Sequence, residues 1–91
     1  MTGEDFTVAW TSPARRALRS LPEKAATAAV EFIYGSLAEN PRRVGKPLRR
    51  VLLGLHSARR GDYRIIYRIN DDSATIEIVA LEHRSDAYRS R

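Results

Sequence analysis

The segment from Tyr63 to Ile69 constrains the fold most. Tyr63, Ile65, Tyr67 and Ile69 alternate with Arg64, Ile66 and Arg68, a period of two that only an extended strand turns into one apolar and one charged face. A strand of this kind needs an apolar layer on one side and leaves its arginines on the other. The chain has to supply that layer, and its neighbours in the sheet, from the remaining segments.

The covering layer reads out of the amino-terminal half. Phe6, Val8 and Trp10 alternate with Thr7 and Ala9, which predicts a strand over 6–10 with one buried face. Ser12 followed by Pro13 reads as a helix start, with the Ser12 hydroxyl as cap and proline in the first turn. Ala14, Ala17, Leu18 and Leu21 then share one helical face opposite Arg15, Arg16 and Arg19. Pro22 and Glu23 open a second helix with a stripe of Ala26, Ala29, Val30, Ile33 and Leu37, widened by Ala25, Ala28 and Phe32, and ended by Asn40 and Pro41. Gly35 inside it costs about 1 kcal/mol relative to alanine, which predicts a break or a close packing contact there.

Residues 42–50, basic and punctuated by Gly45 and Pro47, read as a loop. Leu53 to Arg60 reads as a strand closed by Gly61, Asn70 to Ser73 as a turn, Thr75 to Leu81 as a returning strand, and Arg84 to Arg91 as a polar tail or short helix. The predicted order is βααβββ: a small α+β domain spanning residues 1–91, two helices packed on an antiparallel sheet whose last three strands form a meander. If the 53–60 strand pairs with 63–69, then Arg59 or Arg60, together with His56, joins Arg64 and Arg68 on the charged face.

With 91 residues there is room for one core. No apolar run reaches the ~20 residues of a membrane helix, the first residues do not resemble a signal peptide, and there is no cysteine for disulfides, zinc knuckles or thiolate chemistry. These features predict a cytoplasmic protein with no membrane partner. Charge is concentrated: residues 42–68 carry nine basic side chains and one acid, Asp62, whereas the flanking segments are close to neutral. Fourteen of the 16 basic residues are arginine, whose planar fork suits phosphate. A polyanionic partner is the direct inference, and a solvated basic surface with no partner is the rival one.

Three segments, Pro41-Arg-Arg-Val-Gly-Lys-Pro-Leu48, Leu53-Gly-Leu-His-Ser-Ala-Arg-Arg-Gly-Asp-Tyr-Arg-Ile-Ile-Tyr67 and His83-Arg-Ser-Asp-Ala-Tyr88, together resemble the RelE toxins of bacterial toxin-antitoxin modules, in particular actinobacterial members. The resemblance runs over nearly the whole chain. It implies a βααβββ domain similar to microbial ribonucleases, silenced by a RelB-like antitoxin in a hetero-oligomer. Once released, such a toxin cuts messenger RNA in the decoding site of the 70S ribosome. By position, Arg64 matches the arginine that holds the scissile phosphate, Arg84 the late arginine, Tyr88 the tyrosine that stacks on a base or helps activate the hydroxyl, and Arg59 a basic residue of the preceding strand. Some relatives carry two lysines where this chain has Leu55 and Ser57, so their usual general base is missing, with His56, His83 or Arg60 as substitutes.

Metal-free RNA cleavage requires a base for the 2′-hydroxyl proton, a cation for the developing phosphorane charge and an acid for the leaving oxygen. The catalytic candidates are therefore Arg64, Arg84, Tyr88 and His83. Lys46, Arg49, Arg50, His56, Arg59, Arg60 and Arg68 are the candidates for RNA or phosphate binding. The structural alternatives are that Arg64 pairs with Asp62 or Glu77, that Tyr88 pins the tail to the core, and that His56 is a half-buried sheet residue. Asp71 and Asp72, adjacent in a turn, do not form the oxygen cage of a magnesium site, and the isolated Gly54 and Gly61 match no phosphate loop, so neither metal nor cofactor is expected. Two other functions fit the same fold: a ParE-like toxin that binds gyrase and cuts nothing, and a general RNA-binding module, for which no helix-turn-helix or RNP-type segment is present.

Overall fold

The structure, a computed structural model, describes residues 5–83. The chain forms β1 (Thr7–Trp10), α1 (Ser12–Ser20), α2 (Glu23–Phe32) continued by a π-helical turn (Ile33–Leu37), α3 (Pro41–Val44), β2 (Lys46–Pro47), a 3-10 turn (Arg50–Leu52), β3 (His56–Arg60), β4 (Tyr63–Asn70) and β5 (Thr75–His83). The five strands make one sheet in the order β1-β5-β4-β3-β2. Strands β3, β4 and β5 form the predicted antiparallel meander, and β2, in a stretch read as loop, adds antiparallel to β3. The expected all-antiparallel sheet is corrected at β1, which pairs parallel with β5 through Val8 opposite Ile76 and Trp10 opposite Ile78. A parallel neighbour needs a crossover, and the two helices between β1 and the meander supply it.

The helices cover one face. Ala14, Ala29, Phe32, Ile33 and Leu37 pack on Ala58, Tyr63, Ile65, Tyr67, Ile76, Ile78 and Leu81, with Phe6, Val8, Trp10, Ala17, Leu18 and Leu21 closing the rim. Of the stripe read from the second helix, Ala29, Phe32, Ile33 and Leu37 are buried there, Ala25, Ala26 and Val30 are partly covered, and Ala28 is exposed. Gly35 produces the predicted break as a π turn, and no atom lies within 4 Å of where its Cβ would stand, so the close packing contact is absent. Two helical turns set Ile33 and Leu37 fully inside while Tyr34 stays outside, where its hydroxyl accepts from Trp10 Nε1 at 2.9 Å.

The cap of α1 is Thr11 rather than Ser12. The Thr11 hydroxyl accepts from the Ala14 amide at 3.3 Å, and it lies 3.0 and 3.1 Å from the carbonyl oxygens of Ile78 and Val79, to which it donates. Those carbonyls flank an irregularity in β5. Ile66 pairs with Ala80 and Tyr67 with Ile78, so Val79 is an extra residue and β5 carries a bulge.

The basic stretch is more ordered than the predicted loop, because Pro41 starts a helical turn and Lys46 and Pro47 pair with Ser57 and His56 at the sheet edge. Gly45 is required there by space: a Cβ would collide with the Tyr67 hydroxyl and the Ser57 carbonyl. Strand β3 starts at His56 instead of Leu53, since residues 50–54 form a tight turn with Arg50 at φ 61° and Gly54 at φ 96°. This turn holds Val51 and Leu53 out in solvent, 96% and 79% exposed. No described helix is long and apolar enough to cross a membrane.

Candidate functional site

The face of the sheet away from the helices carries the charges. Register fixes its membership: Arg64 of β4 lies opposite Arg59 of β3 on one side and Glu82 of β5 on the other, and Ser57 is opposite Ile66 and Lys46. Val44, Lys46, Pro47, Leu48, Ser57, Arg59 and Arg64 line a shallow depression of about 510 Å³ on this side. Two guanidinium stems directly opposite one another repel. An anion seated between them relieves that repulsion, so the site is built to attract one.

The arginines of β4 are both engaged. Arg64 Nη2 donates to Glu82 Oε1 at 2.6 Å and Nε to the same oxygen at 3.2 Å, while Arg68 Nη1 donates to Glu77 Oε1 at 2.8 Å. The sequence offered Asp62 or Glu77 as partners of Arg64; the carboxylate on it is Glu82. These pairs are roughly half exposed, where an ion pair is worth at most about 1 kcal/mol, so a polyanion can displace either. Arg42 forms a two-point pair with Asp71 at 2.8 Å on both oxygens, tying α3 to the β4–β5 turn and holding the Asp71 carboxyl below its usual range.

Of the residues expected on this face, Lys46, Arg59 and Arg64 come together, and Arg68 lies two pleat repeats further along the strand. His56 and Arg60 do not join them. Each is opposite a buried residue of β4, His56 with Tyr67 and Arg60 with Tyr63, and so both belong to the helix-covered side. Arg60 lies over the Phe32 ring at 5.6 Å, and His56 stacks on Tyr67 with ring centroids 5.6 Å apart. Burial, then the charge of Arg42, lowers the His56 pKa, leaving a neutral imidazole whose Nδ1 is buried without a hydrogen-bond partner among the described residues. His83 is opposite Tyr63 and is likewise placed on the helix side of the sheet. Arg49 and Arg50 are exposed at the 3-10 turn, outside the lining of the depression. Arg84 and Tyr88 lie outside the described residues.

The residue that sequence reading missed is Glu82. Glu77 and Glu82 are five apart, so strict alternation would send them to opposite faces; the bulge at Val79 restores them to the same one. Nothing in the local sequence of β5 marks that insertion.

Comparison with known proteins agrees with the fold. The family model described as the ParE toxin of the type II toxin-antitoxin system, parDE, matches residues 8–88. The toxin RelE of Mycobacterium tuberculosis is 55% identical over 84 residues, covering 92% of this chain and 87% of the relative. Toxin RelG of the same organism is 52% identical over 84 residues, covering 92% and 97%. Among solved structures, the toxin-antitoxin complex RelBE2 of M. tuberculosis superposes with a TM-score of 0.87 at 51% identity, covering 89% of this chain and 100% of that one. The isolated Escherichia coli RelE toxin shares the fold, with a TM-score of 0.72 at 17% identity over 91% and 90% of the two chains. A match over nearly the full described sheet and helices, at more than half identity to two toxins, establishes that the chain belongs to the ParE toxin family of type II toxin-antitoxin systems.

Proposed function

We propose that this toxin is a metal-independent endoribonuclease that cuts messenger RNA in the ribosomal A site and inhibits translation until a RelB-like antitoxin binds it. The observation that carries the reading is the cluster of Lys46, Arg59 and Arg64 around one depression, on a rigid sheet rather than a loop. Donors fixed by a backbone ladder are preorganised for charge that develops in a transition state, and losing one commonly costs about 3 to 4 kcal/mol of barrier. Arg64 would neutralise the phosphorane, with Arg59 and Lys46 drawing in the flanking phosphates. The 2′-hydroxyl attacks the adjacent phosphate, leaving a 2′,3′-cyclic phosphate and a 5′-hydroxyl. Arg84 and Tyr88 are proposed to complete the site.

The antitoxin is proposed on the strength of the RelBE2 relative, which was solved as a toxin-antitoxin complex. An acidic amphipathic segment would compete with RNA for the same arginines. The reading also places the chain in the cytoplasm as a single domain over 1–91.

Purified chain and an Arg64→Ala variant, added to ribosomes programmed with a defined message and separately to naked message, test the reading by primer extension. Cuts that need ribosomes and vanish in the variant are expected. Ends bearing a 5′-phosphate overturn the mechanism. Absence of cuts with wild-type chain overturns the ribonuclease reading and favours the ParE-like, gyrase-binding alternative, ParE being the toxin for which the matched family is named.

A further inference from the structure

RNA cleavage needs a group to take the 2′-hydroxyl proton, and the described histidines stand on the wrong side of the sheet. His56 is stacked on Tyr67 and His83 is paired with Tyr63, both on the side of the sheet that the helices occupy, while Leu55 and Ser57 carry no basic side chain. The charged face does hold a proton acceptor at the phosphate site. Glu82 lies beside Arg64, and the second carboxylate on this face, Glu77, is taken by Arg68, four residues along β4 and so about 13 Å away.

We propose that Glu82 is the general base of the cleavage reaction. The assignment rests on the ribonuclease reading above. Its geometric support is the way Arg64 uses its guanidinium. Nε and Nη2 both donate to Oε1 of Glu82 along one edge of the planar group. Nη1 and the second Nη2 hydrogen lie on the other edge, available for a phosphate. One arginine thus holds the base with one edge and the scissile phosphate with the other, which sets the carboxylate within a guanidinium's width of the ribose that carries the phosphate. Both Arg64 bonds fall on Oε1, so Oε2 is the oxygen that meets the hydroxyl.

In the step itself, Glu82 takes the proton from the 2′-hydroxyl, the 2′-oxygen bonds to phosphorus, and the P–O5′ bond breaks with its electron pair leaving on O5′. That oxygen picks up a proton from solvent, and Glu82 later returns its own proton to solvent. No co-reactant is consumed. The bulge at Val79 is what makes the arrangement possible, since without the extra residue Glu82 would face the helices.

The test is single-turnover cleavage on programmed ribosomes by wild type, E82Q and E82A, with ribosome binding and thermal melting measured alongside. Glutamine keeps an oxygen that accepts from Arg64 but cannot take a proton. Cleavage by E82Q is expected to fall about a hundredfold or more, with binding and melting temperature unchanged, and added formate is expected to restore part of the lost rate to E82A. E82Q cutting within threefold of wild type, or faster, overturns the assignment and makes the ion pair a tether or a brake on Arg64. A loss of binding as large as the loss of cleavage overturns it as well. If wild type cuts nothing in these reactions, the ribonuclease reading itself fails, an outcome distinct from a failure of Glu82 alone.

Discussion

Glu77 and Glu82 sit five residues apart on β5 yet meet Arg68 and Arg64, which sit four apart on β4. The bulge absorbs the difference, and Thr11 ties it down by reaching the carbonyls of Ile78 and Val79 while capping α1. One hydroxyl therefore links the first helix to the phase of the charged face. Thr11→Val keeps the shape and removes those bonds. Loss of the cap and of the two part-buried carbonyl contacts should lower stability by about 1 to 2 kcal/mol in urea melts. An unchanged midpoint would show that neither the cap nor the bulge depends on it.

Arg59 and Lys46 are expected to act through charge alone. Removing either should weaken binding of a single-stranded RNA oligonucleotide and lower the slope of log K against log salt by about 0.7 per lost phosphate contact. Removing Arg60, which is spent on the Phe32 ring on the other face, should leave that slope unchanged.

Position 50 carries strain. Arg50 adopts φ 61°, a conformation that costs a residue with a Cβ roughly 1 to 2 kcal/mol. Arg50→Gly should therefore raise stability, by less than that amount because glycine also frees the unfolded chain. A lower melting temperature would mean that the Arg50 side chain makes compensating contacts.

At Gly45 the opposite is expected. Alanine has no room between the Tyr67 hydroxyl and the Ser57 carbonyl, and overpacking of this kind typically costs about 1 to 3 kcal/mol. The same substitution at Gly35, where the space is open, should be tolerated better.

His56 predicts a pH dependence. Its folded pKa is lowered from 6.5 by burial and by Arg42, so the unfolded chain binds the proton more readily. Stability from this residue is complete above about 6.5, the unfolded value, and is lost as pH falls through the lower folded one. Urea midpoints measured from pH 7.5 down to 5 should decline in wild type, and His56→Phe should flatten the decline.

Legibility followed the range of the interactions. The alternation of Tyr63 to Ile69 and the helical stripe around Ala29, Ile33 and Leu37 are local patterns, and both elements stand where those patterns place them. Arg64 and Arg59 were accessible because a short hairpin leaves little freedom in register, whereas Lys46, read in a loop, reaches the face through the β2 edge pairing. His56 and Arg60 were misplaced because the phase of β3 depends on the turn at Gly61 and Asp62, which sets them opposite Tyr67 and Tyr63. The parallel contact of β1 with β5 arises from partners 68 residues apart in sequence, and the bulge that turns Glu82 outward from partners 11 and 14 apart, so no local pattern encodes them.

The far edge of the sheet is only Lys46 and Pro47. An edge strand with open amides is a template on which another chain can grow. Here it is two residues long, one of them charged and the other without an N–H to donate. A toxin must persist in its folded, unbound form after its inhibitor is gone, at least long enough to act. At this edge the sheet offers its own copies no template for strand-by-strand association.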